Sequence, residues 1–445
     1  MTQSFRPGTS RHLLYNAAIA AVAVAGAPLW IPWLLSARKR RKNFPERMGL
    51  RDFPSLPPRG GRPRVWVHAV SVGETLAAAP LLRRLRERAP GATLLLSNVT
   101  LTGREIGRNA LAGIVDAGFY FPFDLPGVCG RFLDRLRPDV VVIVETEIWP
   151  NFLAACAARG IPAVIVNGRL SERSFGGYLR LRWFFAPVLQ VFRAISAQSR
   201  EDADRFIALG APAGIVTVGG NLKFDLPPPE SMRNFLSGLL SREKADGARW
   251  MVAGSTHEGE EELILRAFLA ARKVNPAMKL LLAPRHPERF GTVEALLARE
   301  GVESVRRTAL PADARSVGAP VLLLDSVGEL AGAYAAAEVA FVGGSLAPKG
   351  GHNVLEPVWQ GVPTLVGPHM ENFREIASTF LSAGALLQVN GGGELAERFA
   401  QFAADPAAFV DVGRRGRELL ESLRGASDRN AAAVLVAAGW TGNDS

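Results

Sequence analysis

The apolar residues of this chain follow two patterns. Near the start, positions 13–36 form one uncharged run made mostly of Ala, Val, Leu, Ile and Trp. From residue 64 onward the runs are short and β-branched, with loops of Gly, Ser, Asn and Asp and then stretches at helical spacing. Six such runs stand in the first part, at 65–70, 93–97, 140–144, 163–166, 194–197 and 216–218. Five more stand at 250–253, 279–283, 321–324, 339–342 and 364–366. Helical patterns, for instance at 75–88, 258–271 and 287–299, separate most of them. Apolar strands alternating with helices predict parallel sheets covered on both faces. Eleven strands exceed one comfortable doubly wound sheet.

The break falls near Pro227-Pro228-Pro229. The pattern predicts an α/β protein of two doubly wound β/α domains facing across a cleft, at 45–225 and 247–415, joined by a linker at 226–246. The tail, 416–445, reads as a helix packing back on the first domain. An eight-fold barrel fits the break and the Gly-rich loops less well.

Charge changes the picture only at the amino terminus. The chain has 52 Lys+Arg against 42 Asp+Glu, a net charge of +10. Residues 1–64 alone hold 12 basic and 2 acidic residues, 12 − 2 = +10, so the remainder is formally neutral. That excludes a basic nucleic-acid-binding body. Five consecutive basic residues, Arg38-Lys39-Arg40-Arg41-Lys42, follow the apolar run. As a helix, 13–36 would reach about 36 Å, against a hydrocarbon core of about 30 Å. Residues 1–44 are therefore read as a membrane anchor and basic juxtamembrane segment, with the basic cluster on the cytoplasmic side. A cleaved signal peptide fits poorly, because the basic residues come after the run. Pro28 and Pro32 leave spanning and one-leaflet insertion both open. Two cysteines, Cys129 and Cys156, exclude a disulfide scaffold.

Ligands of open α/β sheets gather past the carboxyl ends of strands. Ser71-Val72-Gly73-Glu74 follows the first run, placing Glu74 as a helix-start carboxylate or a base. Glu145-Thr146-Glu147 follows the third, and Lys223 stands after the glycine pair 219–220. In the second half, Arg285 follows a strand where a guanidinium could bind phosphate. The glycine pairs of Gly343-Gly344-Ser345 and Gly350-Gly351-His352-Asn353 are expected to cradle a phosphate with backbone amides. Together these loops predict a nucleotide site. Neither dinucleotide nor P-loop fingerprints occur. Five of the six histidines lie at strand ends or loops without metal-ligand spacing, so ligand or backbone contacts are expected rather than metal.

Several longer motifs occur together: Ser71-Val72-Gly73-Glu74-Thr75, Glu145-Thr146-Glu147-Ile148-Trp149-Pro150-Asn151, Leu222-Lys223-Phe224-Asp225, Ser255-Thr256-His257-Glu258-Gly259-Glu260, Pro284-Arg285-His286-Pro287-Glu288-Arg289-Phe290, and Gly343-Gly344-Ser345 through to Leu355-Glu356. The combination resembles the 3-deoxy-D-manno-octulosonic acid (Kdo) transferases specific for lipid IVA. The resemblance implies a GT-B fold and inverting transfer of Kdo from CMP-Kdo to lipid IVA at the cytoplasmic face of the inner membrane. It implies Glu74 as general base and Glu145 and Lys223 as transition-state stabilisers, with Glu147 close enough to leave the choice of carboxylate open. It also implies CMP contacts from Pro284, Arg285, Val327, Gly328, Glu329, Asn353, Val354, Leu355 and Glu356. No cofactor, metal or nucleic acid is expected. The alternatives are another sugar-nucleotide enzyme, such as an epimerase or a transferase of a different sugar, and a non-catalytic membrane-bound nucleotide sensor.

Overall fold

The computed structural model describes residues 5–36, 38–51, 53–58, 62–226 and 235–440. The proline run read as the domain break lies outside the described residues, as do the side chains of the basic cluster 38–42. The chain forms two compact units, Met1–Leu226 with Leu423–Ser445, and Pro227–Ser422.

The first unit is built on seven parallel strands: β1 (Arg64–His68), β2 (Thr93–Asn98), β3 (Ala117–Tyr120), β4 (Val140–Val144), β5 (Ala163–Gly168), β6 (Phe192–Ala197) and β7 (Val216–Val218), in the order β3-β2-β1-β4-β5-β6-β7. Every residue of β1, β2, β4 and β5 is buried, as continuous apolar runs require when helices cover both faces. One face packs around Trp66, Phe121, Phe132 and Phe152, and the other around Leu81, Leu82, Leu94 and Val142.

The second unit repeats the plan with β8 (Arg249–Thr256), β9 (Met278–Pro284), β10 (Ser304–Arg306), β11 (Val321–Leu323), β12 (Val339–Val342), β13 (Thr364–Val366) and β14 (Leu387–Gln388), ordered β10-β11-β9-β8-β12-β13-β14. Its core gathers around Phe268, Phe341 and Phe399 on one side and Trp250, Leu281 and Tyr334 on the other. All eleven predicted strands are present. The three that the pattern missed, β3, β10 and β14, are sheet edges. Edge strands are short and wetted on one side, which weakens their apolar runs; β10 and β14 hold no fully buried residue, and the fourth edge, β7, shows only the short run Val216-Thr217-Val218.

Both strand orders reverse direction beside the first strand, between β1 and β4 and between β8 and β12. Neighbouring strands that send their crossovers to opposite faces leave a crevice past their carboxyl ends. The loops after β1, β4, β8 and β12 are therefore the ones positioned to meet ligands.

The helix Ser10–Leu35 is capped by Thr9, and its stretch Ser10–Pro32 has a mean hydropathy of 1.7, long and apolar enough to anchor in a membrane. Its first turns belong to the first unit. Phe5 is buried edge-on to Phe184 (5.7 Å between ring centres), Tyr15 Oη donates to Asp124 Oδ2 at 2.8 Å, and Asn151 Nδ2 donates to Asn16 Oδ1 at 2.8 Å. The following helix, Arg38–Arg47, returns to the same surface, with Phe44 5.3 Å from Phe123 and the Arg47 guanidinium 4.1 Å above that ring.

The segment after residue 226 holds the helix Phe235–Ala245, which joins the second core through Leu236, Leu239 and Leu240. The tail is two helices, Ala407–Leu423 and Ala426–Ala437, divided at Gly425 with φ of +90°. The second carries Ala431, Val434 and Leu435 into the first unit's core.

Candidate active site

Ser71 caps the helix Val72–Arg88 by accepting from Glu74 N at 3.3 Å, and Glu74 answers it. Glu74 Oε1 accepts from Ser71 Oγ at 2.8 Å and Oε2 from Val70 N at 2.8 Å. This is a capping box shifted by one residue. The loop beneath is held by Asn98, whose Nδ2 donates to Ala69 O at 2.7 Å and Thr75 Oγ1 at 2.8 Å. Glu74 thus has the helix-start role expected of its position, on a half-buried carboxylate at the switch point.

β4 lies beside β1, with Ile143 opposite His68, so the loop after β4 emerges next to Glu74. Glu145 takes φ of +62°, the left-handed region. Few residues other than glycine adopt it, and such strain of about 1–3 kcal/mol collects at functional sites. Burial raises the pKa of Glu145 above the ordinary carboxylate range, the charge of Glu74 adds to this, and Lys223 and Arg169 oppose it. Glu147 is pushed up to about 7, by burial first and then by Glu74 and Glu145, with the Trp149 indole opposing. Thr146 Oγ donates to Arg169 O, tying the loop after β4 to the one after β5.

Lys223 reaches this group from the short helical turn Leu222–Asp225. Asn167, at φ of +55° on the end of β5, accepts from Leu222 N at 2.9 Å, and Asn221 caps the turn by accepting from Lys223 N at 3.0 Å. Gln198 links the two amides, donating to Asn167 O at 3.1 Å and accepting from Asn221 Nδ2 at 3.0 Å. Asp225 accepts from Gly425 N at 2.7 Å and Ser427 N at 2.5 Å, locking the turn to the last helix. Glu74, Glu145, Glu147, Lys223 and Arg169 therefore share one electrostatic cluster in the first unit. The sequence reading missed Arg169 and the amides Asn167, Gln198 and Asn221; the strand-end pair Asn167-Gly168 was the one signal pointing to them.

In the second unit the glycine loop needs correcting. Gly343-Gly344-Ser345, expected to cradle a phosphate, wraps the buried carboxylate of Glu260 instead. Glu260 Oε2 accepts from His257 N at 2.9 Å and Gly344 N at 2.7 Å, and Oε1 from Ser345, Leu346 and Ala347 N at 3.0, 2.9 and 3.1 Å. A Cβ on Gly343 would stand 2.5 Å from Ser255 O and 2.6 Å from Thr256 Cα, so glycine is required there for close approach of β8 and β12. The five amides are already satisfied by the chain itself.

The other residues expected at the nucleotide site lie on the loops after β9, β11 and β12. Pro284 ends β9 in the core, and Arg285, exposed, has no ion-pair partner among the described residues. Arg285 faces His257, His352 and Glu356 closely enough to favour loss of a proton from each. His257 Nε2 and His352 Nε2 stand 2.8 Å apart with their rings parallel, and His286 lies 5.2 Å from His257. Burial, then these positive neighbours, lowers His352 to about 4. Glu356 is raised by burial, against a 3.2 Å hydrogen bond from Asn353 Nδ2. Val354 and Leu355 are buried, so their side chains belong to the core. After β11, Val327 is 86% exposed and Gly328 is exposed beside it, while Glu329 is held by Arg307 at 3.0 Å and by the hydroxyl of Ser326. His68 is elsewhere: it is stacked 3.8 Å from Phe121 in the first core and kept neutral by burial, which lowers its pKa to about 3. Among the described residues no three of His, Cys, Asp and Glu are arranged to hold a metal ion.

A family described as 3-deoxy-D-manno-octulosonic-acid transferase (kdotransferase) matches residues 42–226. Over 401 residues the chain is 35% identical to a 3-deoxy-D-manno-octulosonic acid transferase of Haemophilus influenzae, spanning 89% of this chain and 92% of the relative. The chain belongs to the Kdo transferase family. A second Kdo transferase, from Bordetella pertussis, is 36% identical over 382 residues, 83% of this chain and 86% of the relative. The structure of UDP-GlcNAc 2-epimerase from Neisseria meningitidis shares the two-unit GT-B plan, with a TM-score of 0.58 at 15% identity over 84% of this chain and all of that one. At that identity the likeness shows the fold alone. This Kdo transferase is a glycosyltransferase, which sets aside the epimerase and the non-catalytic sensor.

Proposed function

We propose that this Kdo transferase moves Kdo from CMP-Kdo to lipid IVA, inverting the anomeric carbon, at the cytoplasmic leaflet of the inner membrane. The observation that carries the reading is that Glu74 and Glu145 follow the adjoining strands β1 and β4 and Lys223 acts on Glu145 from the turn Leu222–Asp225, in a chain of this family. Glu74 accepts the proton of the acceptor's primary hydroxyl while its oxygen attacks the anomeric carbon. The bond from that carbon to the phosphate oxygen breaks, its electron pair leaves on CMP, and no covalent enzyme intermediate forms. Glu145 faces the positive charge developing at the sugar, and Lys223 sets the local balance of charge. Glu145 is favoured over Glu147 because Lys223 acts on it directly.

Arg285, with no ion-pair partner among the described residues, is suited to the CMP phosphate. Pro284, Val327, Gly328, Glu329, Asn353 and Glu356 complete the CMP contacts, and the buried Val354 and Leu355 contribute through their backbone. We also infer no metal requirement, since the leaving group carries one phosphate and Arg285 supplies a cation to it. The basic cluster 38–42, which follows the apolar helix, supports the cytoplasmic side.

Purified protein incubated with CMP-Kdo and lipid IVA should yield, by mass spectrometry, lipid IVA carrying at least one Kdo, and EDTA should leave the yield unchanged. An unmodified acceptor would overturn the reading, and EDTA-dependent loss restored by Mg²⁺ would overturn the metal inference.

A further inference from the structure

A groove of about 930 Å³ runs within the first unit between its body and the two N-terminal helices. That volume is at the upper end of ordinary ligand pockets, about 300–1,000 Å³. One wall is the inner face of the helix Ser10–Leu35, with Ala18, Ile19, Val22 and Ala23; the other includes Phe44, Phe123 and Trp149. The Trp30 indole folds back to donate to Ala23 O at 2.8 Å, which brings a further ring to the groove.

Two relationships say what such a groove is for. The helix that forms its wall presents apolar side chains outward, Val24 at 76% and Leu29 at 79% exposure, so the wall is itself the membrane-facing element. At the other end the lining reaches Val99 and Trp149. Val99 N donates to Val70 O at 3.2 Å, and Val70 N donates to Glu74. Trp149 is two residues from Glu147 and bears on its charge. The groove thus runs from the N-terminal helix to Val99 and Trp149, which adjoin the carboxylate cluster.

We infer that this groove holds an acyl chain of the glycolipid acceptor, so that the acyl chain sets the hydroxyl's position at Glu74. The inference rests on the acceptor reading above and adds the place where its apolar part is bound. An occupant fixed by a chain in the groove and a sugar at the cluster is oriented at both ends, which lowers the entropic cost of reaching the reactive geometry.

Ala18→Trp and Ala23→Trp fill the groove from an exposed wall without opening a core, and Val24→Trp and Leu29→Trp place the same bulk on the outer face. The filled variants should raise KM for lipid IVA at least tenfold. Their turnover of the de-acylated, water-soluble disaccharide, their CMP affinity and their partition into anionic vesicles should stay within twofold of the unmodified protein. The outer-face variants should match the unmodified protein throughout. Lipid IVA bearing a diazirine on an acyl chain should crosslink within the groove, at Ile19, Val22 or Phe123, and lose that label in the filled variants. Unchanged KM in the filled variants, an equal rise in the outer-face variants, or labelling outside the groove overturns the inference. If the unmodified protein transfers Kdo to neither acceptor, the acceptor reading falls instead, and the crosslink still decides what the groove binds.

Discussion

Asp225 accepts a 2.7 Å hydrogen bond from the backbone of Gly425, 200 residues later in the chain. With the bond from Ser427 N, it satisfies the exposed start of the helix Ala426–Ala437 and holds in place the turn that carries Lys223. A carboxylate in this position also complements the helix dipole. Asp225→Ala should therefore cost about 1–2 kcal/mol of stability and lower turnover, while CMP binding stays unchanged. Urea denaturation and calorimetric titration with CMP check the two parts; loss of CMP affinity with stability intact would contradict the assignment.

Glu74 combines a helix-capping role with the proposed base. Glu74→Gln keeps an acceptor for Val70 N or Ser71 Oγ, so stability should fall by no more than about 1 kcal/mol. Removing a positioned base should lower kcat by about 10²–10⁴. Near-normal turnover in a folded Gln variant would exclude Glu74 as the proton acceptor.

Glu147 gives a pH signature. Its pKa stands at about 7 in the folded protein against an ordinary 4.5, through burial and then the charges of Glu74 and Glu145. Folding therefore favours its protonated form. The stability it contributes is full below about pH 4.5 and is lost as pH rises to about 7. Glu147→Gln should match the unmodified protein at pH 4 and exceed it at pH 8. Chemical denaturation at the two pH values measures the difference, and equal stability at pH 8 would show that the carboxylate is not destabilised there.

Glu260 is the counterpart in the second unit. Five backbone N–H groups converge on its buried carboxylate. Glu260→Ala would leave them without partners, at about 1–3 kcal/mol each before relaxation, so a total loss above about 3 kcal/mol is expected. Thermal unfolding checks this. A stable Ala variant that binds CMP more tightly would mean that the amides are free to serve a phosphate after all.

Much was legible in the chain because its causes are local. Buried parallel strands must be apolar throughout, so the ten inner strands showed as runs, and of the four edge strands only Val216–Val218 did, whereas Ala117–Tyr120, Ser304–Arg306 and Leu387–Gln388 did not. An uncharged run followed by basic residues marked the helix Ser10–Leu35, long and apolar enough to anchor in a membrane. Glu74, Glu145 and Lys223 were legible as residues of loops after a strand or a glycine pair, but their roles came only from the resemblance of the motifs around them to the Kdo transferases.

What tertiary structure alone decided is which of those loops meet, and what satisfies them. Strand order puts β4 against β1, bringing Glu145 beside Glu74 across some seventy residues of chain. The amides of Gly344 to Ala347 answer Glu260 rather than a ligand, and the helix Ser10–Leu35 leaves a groove along one face. Sequence records each residue's own preference for water, hydrogen bonds and backbone angle. Hydrogen-bond satisfaction and electrostatic neighbours depend on distance in space, and those are set only once the sheet has chosen its order.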